Sequence, residues 1–460
     1  MKYNILVDIE SKGMFPFYFR LLFICFSILI LNLFIEKARP MARNWSESSK
    51  VILKTKYFRR LRYRIMIFLL TSIFILYSTG LLVKPFEKNF SSFTYPIHRN
   101  NFRYLIQAVK ANLKFSTDDF EPIYNKSEFN FHLNPAYKCR INNSFDDKES
   151  FSKKFDDNSS QNSIHLLIVV KSAVCNFHYR NSIRQTWGNE KRFIDYNIRT
   201  VFMLGECSQT DDDCPDHGTD GSETLKYPSW LYDIQKNDKK FVCNKLISHE
   251  AKQFNDIIQA NFQDNYYNNT LKTIACFQWV NDNCLQAPFI FFVDDDYYLS
   301  VKNLINFIKN FFQFTTSSGP IDENGNTYLP EVIYDGRLYS GWVYPNSWPQ
   351  RSIFSKWSVS LKSYPFSRYP PYITGGAFLM NSRTVSDIYY ASLFTKRFDF
   401  DDVYLGILAW KMKIRLIHNQ NMVCVRKDPN NNPDLIASHD YKDPEEMAKI
   451  WFQQKYLGFA

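Results

Sequence analysis

Three consecutive carboxylates, Asp294, Asp295 and Asp296, follow the apolar run Phe289–Val293 in FIFFVDDDYY. Like charges this close need a cation between them or a shared proton. A hard divalent ion that also grips phosphate oxygens, Mn²⁺ or alternatively Mg²⁺, suits such a site. In extended backbone, side chains two apart share a face, so Asp294 and Asp296 are expected to converge on one point. The competing account is a polar turn whose aspartates cap a helix over Val301–Phe312. A second acidic pair, Asp401 and Asp402 in FDFDDVYLG, enters an apolar, helix-like segment, either as helix caps or as a general base. In TGGAFLM, Gly375 and Gly376 precede a strand. They mark either a plain turn or a place where the backbone must approach something closely. His439, just before a helix opened by Asp443 and Pro444, is either structural or a further metal ligand.

Placing these groups requires a sheet. A short, fully apolar strand such as 289–293 suits a buried parallel sheet, which binds ligands at the carboxyl ends of its strands. IHLLIVVKS from Ile164 and RTVFMLG over Arg199–Gly205 read as two further strands. RNSIRQTWGNE (Arg180–Glu190) reads as a turn running into a helix, and helical patterns cover Leu246–Asn261 and Thr270–Asn283. This alternation predicts an α/β domain with a doubly wound, largely parallel sheet. Asp211–Gly221 lacks the ligand spacing of a calcium loop and reads as solvated. The Pro-punctuated stretch 334–371 reads as loops and irregular strands forming a cleft wall.

The formal charge of +10 is concentrated in the first 64 residues, which leaves the remainder almost neutral and without the field that nucleic-acid binding needs. Met66–Val83 is an uncharged apolar run of about 27 Å as a helix, preceded by a Lys/Arg cluster. That asymmetry predicts a cytoplasmic tail (1–65), a signal anchor (66–83), an Asn/Ser-rich stem (84–160) that is partly disordered, and a luminal domain (161–460). A shorter apolar run, 21–35, is either a second span or absent from a form starting at Met41. Eight cysteines follow the anchor, enough for up to four disulfides in an oxidising compartment. N-x-S/T sites at Asn89, Asn125, Asn142, Asn158 and Asn268 agree with that topology.

The ordered motifs IRQTWG, DNYYNNTLKT, FVDDDYYLS, YPPYITGGAFLM, DFDDVYLG and HDYKDPEEM resemble those of β-1,3-glycosyltransferases of glycosyltransferase family 31, over roughly 164–455. VDDDYYLS and GWVYPNSWPQRSIFSKW resemble the brainiac-type β-1,3-N-acetylglucosaminyltransferases. Many relatives have Glu-Asp-Val where this chain has Asp401-Asp402-Val403, a change that keeps the carboxylate. The resemblance implies a GT-A fold and Mn²⁺-dependent, inverting transfer from a UDP-sugar to a glycolipid or glycoprotein glycan by a single-pass type II Golgi membrane protein. It implies a metal at Asp294, Asp296 and His439, with Asp296 as the direct ligand. Asp402 would be the base, with Asp401 second. Arg180, Arg184, Lys272, Asp294, Asp295, Gly375 and Gly376 would line the UDP-sugar. Two rivals are weighed against this. A haloacid-dehalogenase-like phosphatase would use Asp294 as nucleophile, and a catalytically silent relative would act as chaperone or lectin.

Overall fold

The computed structural model describes residues 47–94, 102–113, 121–139, 166–193, 196–207, 239–316 and 336–460. The apolar run 21–35, the 211–221 loop and the sequons at Asn142 and Asn158 lie outside them. The chain divides into two compact units, Met1–Pro85 with Arg351–Ser358, and Phe86–Gln350 with Val359–Ala460.

The first unit is built on helix α1 (Glu47–Ser78). Its Arg60–Ser78 portion is 19 residues with mean hydropathy 1.5, and Leu70, Ile73, Phe74 and Tyr77 stand exposed along it. The expected apolar span reached Val83, but the helix stops at Ser78. Gly80 there takes φ +77°, a left-handed conformation that ends a helix and that glycine adopts readily. Arg351–Ser358 closes on this end. Ile353 N donates to the Ser78 carbonyl at 3.1 Å, and Ser352 Oγ donates to it at 2.9 Å.

In the second unit the apolar segments form strands β1 (Phe131–Leu133), β2 (Leu166–Lys171), β3 (Ile198–Glu206), β4 (Ile257–Gln263), β5 (Phe289–Asp294), β6 (Tyr298–Leu299), β7 (Tyr339–Tyr344), β8 (Tyr372–Asn381), β9 (Ile417–His418), β10 (Met422–Val423) and β11 (Ala437–Ser438). Eight of them make one sheet in the order β1-β4-β3-β2-β5-β8-β7-β9, and β10-β11-β6 make a small second sheet. β4, β3, β2 and β5 are parallel neighbours, whereas β8 runs antiparallel to β5 and to β7. The expected α/β class with a largely parallel centre is therefore present. Every residue of β2 is buried because both faces are covered. Leu167 and Val169 join one apolar cluster, and Leu166, Ile168 and Val170 the other. That is the period-two alternation of a strand in the middle of a sandwich of helices.

Two helix expectations are corrected. Over Arg180–Glu190 the helix, Phe177–Gln185, comes first and the turn at 186–188 follows it. Leu246–Asn261 divides into α4 (Lys239–Phe254), after α2 (Phe102–Lys110) and α3 (Phe177–Gln185), and strand β4. Asn255 at φ +54° breaks the helix. Beyond it Ile258, Ala260 and Phe262 alternate into one cluster while Ile257 enters the other. The remaining helices are α5 (Asn269–Asn283), α6 (Val301–Thr316), α7 (Ser382–Leu393), α8 (Asp401–Lys411) and α9 (Pro444–Tyr456).

Part of the segment read as a spacer is also folded. In α2, Phe102 and Ile106 are buried in the same cluster as β4 and α7. Lys110 pairs with Asp387 of α7, whose other oxygen takes Arg337 Nε at 2.7 Å. β1 covers the outer edge of β4, and Cys139 is disulfide-bonded to Cys284. A second disulfide joins Cys207 to Cys243, and Cys175 is also disulfide-bonded. Cys276 and Cys424 are free, so the eight cysteines do not all pair.

Ile106→Ala tests the folded status of 102–139. A fully buried isoleucine truncated to alanine costs about 2–5 kcal/mol, read by urea unfolding of the full chain. A residue in a loose spacer would cost nothing.

Candidate active site

The two acidic motifs meet at a lysine. In the parallel register Lys171, the last residue of β2, lies beside Asp294, the last of β5. Its Nζ is 3.0 Å from Asp294 Oδ1 and 3.1 Å from Asp401 Oδ2, and it donates to the Gly375 carbonyl at 2.8 Å. β2 continues to β3 on one side while β5 flanks it on the other. The site therefore sits at the point where strand order reverses, where open α/β sheets bind ligands. Burial works against the charge on Lys171, but Asp294 and Asp401 outweigh it and hold the amine protonated.

The antiparallel pairing of β8 on β5 sets Val293 opposite Ala377, which brings the paired glycines next to the acids. A Cβ on Gly375 would stand 3.0 Å from Asp401 Oδ1, and one on Gly376 would stand 2.2 Å from the Tyr297 hydroxyl. These glycines mark a close approach of backbone to acidic and aromatic side chains, with no room for even a methyl group at Gly376.

Asp401 and Asp402 open α8 but divide their work. Asp401 is held by Lys171 and by Thr273 Oγ1, which donates at 2.8 Å. Burial alone would raise its pKa, yet these partners bring it below the usual aspartate value. Asp402 accepts from Val403 N at 2.7 Å. Burial, and then the charge of Asp401, push its carboxyl up to about 7. That is the range in which a carboxylate takes protons effectively near neutral pH. Tyr344 and Tyr372, with ring centroids 5.6 Å apart, feel the Asp402 charge and form an aromatic flank beside it.

Asp294 and Asp296 take different partners, although the charges of both act on His439. β5 ends at Asp294, and Asp295–Asp296 form a turn, so strand alternation no longer applies. Asp294 faces Lys171, whereas Asp296 Oδ2 is 3.0 Å from His439 Nε2. The small sheet makes that second contact. β11 runs antiparallel to β6, setting Ser438 opposite Tyr298, and Tyr441 N donates to the Asp296 carbonyl at 3.0 Å. Burial disfavours protonated His439, but Asp296 and Asp294 overcome this and raise its pKa. Asp296 Oδ1 is buried without a hydrogen-bond partner, an exposed demand for a cation or donor. Among the described residues no three His, Cys, Asp or Glu side chains converge tightly enough to hold an ion by themselves. Asp296 Oδ1 and His439 are donors of the kind a Mg²⁺- or Mn²⁺-like ion can use, since such an ion takes one or two protein ligands and completes its shell with phosphate oxygens and water. The triplet does not cap α6, whose first turn takes Ser300 Oγ instead, accepting from Asn303 N at 3.2 Å.

The cations expected near the diphosphate have protein partners. Arg180 is buried, with its guanidinium on Glu250 at 2.7 Å and on the Ala173 and Val174 carbonyls. Arg184 pairs with Asp256 and Glu250 at 2.8 Å. Lys272 donates to the Ser172 carbonyl and pairs with Asp264, both at 2.7 Å. Asp295 accepts from Ser172 Oγ at 2.6 Å and from Asn176 Nδ2 at 2.9 Å. Arg180, Lys272 and Asp295 thus hold the loop 172–176 that follows β2. Lys171 itself was missed in the sequence. The available signal was a lysine ending an otherwise wholly apolar strand.

A profile of the galactosyltransferase family matches residues 234–328 and 332–420. The chain is 36% identical over 298 residues to β-1,3-galactosyltransferase brn of Drosophila melanogaster, covering 64% of this chain and 76% of that protein. It is 31% identical over 408 residues to lactosylceramide 1,3-N-acetyl-β-D-glucosaminyltransferase of Xenopus tropicalis, covering 86% and 87%. Among solved structures, the galactosyltransferase LgtC in complex with donor and acceptor sugar analogues aligns with a TM-score of 0.27 and 8% identity, covering 64% of this chain and all of that one.

Replacing Lys171 with methionine leaves Asp294 and Asp401 facing each other uncompensated. The loss should be about 3 kcal/mol, the low end for breaking a buried pair because Asp294 stays partly hydrated. Chemical unfolding of wild type and Lys171→Met measures it, and an unchanged midpoint would remove the lysine from its bridging role.

Proposed function

This chain belongs to the galactosyltransferase family of β-1,3-glycosyltransferases, and on that basis we propose that it moves N-acetylglucosamine or galactose from a UDP-sugar onto a glycolipid or glycoprotein glycan, with inversion at C1. One observation carries the reading. A single buried cation, Lys171, joins the carboxylate-rich end of β5 to the acidic start of α8, so both motifs open on one site.

In the proposed reaction the acceptor hydroxyl attacks C1 of the donor sugar as the bond from C1 to the UDP oxygen breaks. Asp402 takes the hydroxyl proton, and the electron pair of the broken bond leaves with UDP. Asp401, fixed by Lys171 and Thr273, orients the first turn of α8 and keeps a second negative charge beside the base. Asp296 and His439, with Asp294 alongside, would hold Mn²⁺, whose charge would stabilise the diphosphate leaving group. Arg180, Lys272 and Asp295 act through the 172–176 loop and shape the donor side without offering free charge. Tyr344 and Tyr372 supply an apolar face against which an acceptor sugar can lie.

The apolar helix and the basic residues before it support a type II anchor, with the second unit in the Golgi lumen. Family membership leaves the phosphatase reading without support, and the intact acids argue against a silent relative. Two relatives carry different donor sugars in their names, so the donor is open to a direct test. Detergent-solubilised full chain with Mn²⁺, UDP-N-acetylglucosamine or UDP-galactose, and a panel of glycolipid and oligosaccharide acceptors should yield a β-1,3-linked product with one of them. UDP release without any sugar transfer would sink the reading.

Two variants separate the acids. Asp402→Asn should lower kcat by roughly 10²–10⁴-fold, the range for losing a general base, with donor affinity nearly unchanged. Wild-type kcat should rise with pH through about 7 and level off above it, because the base works only once deprotonated. Asp296→Ala should instead weaken Mn²⁺-dependent UDP binding, read by calorimetry with and without chelator. Equal UDP affinity in both conditions would dismiss the metal role.

A further inference from the structure

We propose that Arg351–Ser358 is a second membrane contact, lying in the bilayer interface on the side where α1 emerges. The proposal rests on the anchor reading above and adds a surface to it.

The depth of the segment follows from α1. The nineteen helical residues Arg60–Ser78 rise about 28 Å, with Arg60, Arg62 and Arg64 in the first turns reaching back to the near headgroups, so Ser78 lies toward the far side of the span. Ile353 N and Ser352 Oγ both donate to the Ser78 carbonyl, which sets the segment at that level. The fit is close. A Cβ on Gly80 would stand 2.4 Å from Arg351 Cβ and 2.5 Å from the Arg351 carbonyl carbon. A backbone with no side chain at Gly80 is what lets the segment dock on the helix end.

Its outward chemistry fits lipid headgroups and the upper acyl chains. Phe354 is 75% exposed, and Ile353 and Trp357 are each 50% exposed, three large apolar side chains within five residues. Lys356 Nζ lies over the Trp357 ring at 4.6 Å. Aromatic rings interleaved with a long basic side chain are the composition of the membrane–water boundary. There the rings bury their bodies and the amine reaches the phosphates. The bilayer is favoured over a soluble protein partner because the segment is bonded to the end of a helix whose own exposed apolar face needs lipid. In the chain the segment lies between β7 and β8.

The test uses the full chain in phosphatidylcholine liposomes, with and without bromine on the acyl chains near the headgroup. Bromolipid quenches tryptophans that sit at that depth. Trp357→Phe should lose part of the quenching shown by wild type, and Phe354→Trp should gain quenching, with both variants floating with the liposomes through a carbonate wash. Floating protein whose quenching is unchanged in both variants overturns this proposal and leaves the anchor standing. Protein that does not float overturns both.

Discussion

The ammonium of Lys171 is what allows this site to exist as one site. Three carboxylates, Asp294, Asp401 and Asp402, come together where β5, β8 and α8 meet, and without a cation their mutual repulsion and desolvation would oppose that packing. The lysine is supplied by β2, the central strand, and its place is fixed by the parallel register that sets Lys171 beside Asp294. The same pairing sorts the acids by role. Asp401 is neutralised by contact. Asp402 is left with a neighbour's charge and little water, and so has a proton affinity suited to transfer.

Much of this was legible in the sequence, and the remainder was hidden for definite physical reasons. The apolar run ending in Asp294 announced a central strand, and the acidic start of α8 marked a helix end that meets the same lysine. Local patterns of this kind depend on neighbours in the chain. Lys171 did not show itself because its partners are 123 and 230 residues away, and a single lysine after an apolar strand ordinarily reads as its exit to solvent. β4 was absorbed into a helix pattern because α4 runs almost directly into it, separated only by the turn at Asn255. Residues 102–139 lack sustained periodicity because short pieces, α2 and β1, each pack against elements distant in the chain. Arg180, Arg184 and Lys272 carried the charge that a diphosphate site suggests, but Glu250, Asp256 and Asp264 could be matched to them only in three dimensions.

Those buried pairs explain how a site can be shaped by charge yet show little of it. Arg180 reaches Ser172 Oγ and two carbonyls of the loop after β2, Lys272 takes a third carbonyl, and Asp295 receives the loop's hydroxyl and amide donors. The loop conformation is set by these buried groups. The backbone of this loop is thereby preorganised.

The Cys139–Cys284 bond has a consequence in time as well as in space. Its cysteines are 145 residues apart, and the first belongs to the segment that lays β1 along the edge of β4. At ordinary synthesis rates, about 7–30 s separates the emergence of the two thiols. Cys207 and Cys243, only 36 residues apart, are both made within that interval. For that time Cys139 has several wrong partners within reach, and β4, whose edge the bonded segment covers, is itself made only late in the interval. Native pairing therefore requires that any bond Cys139 makes before α5 is complete be exchanged for the one to Cys284.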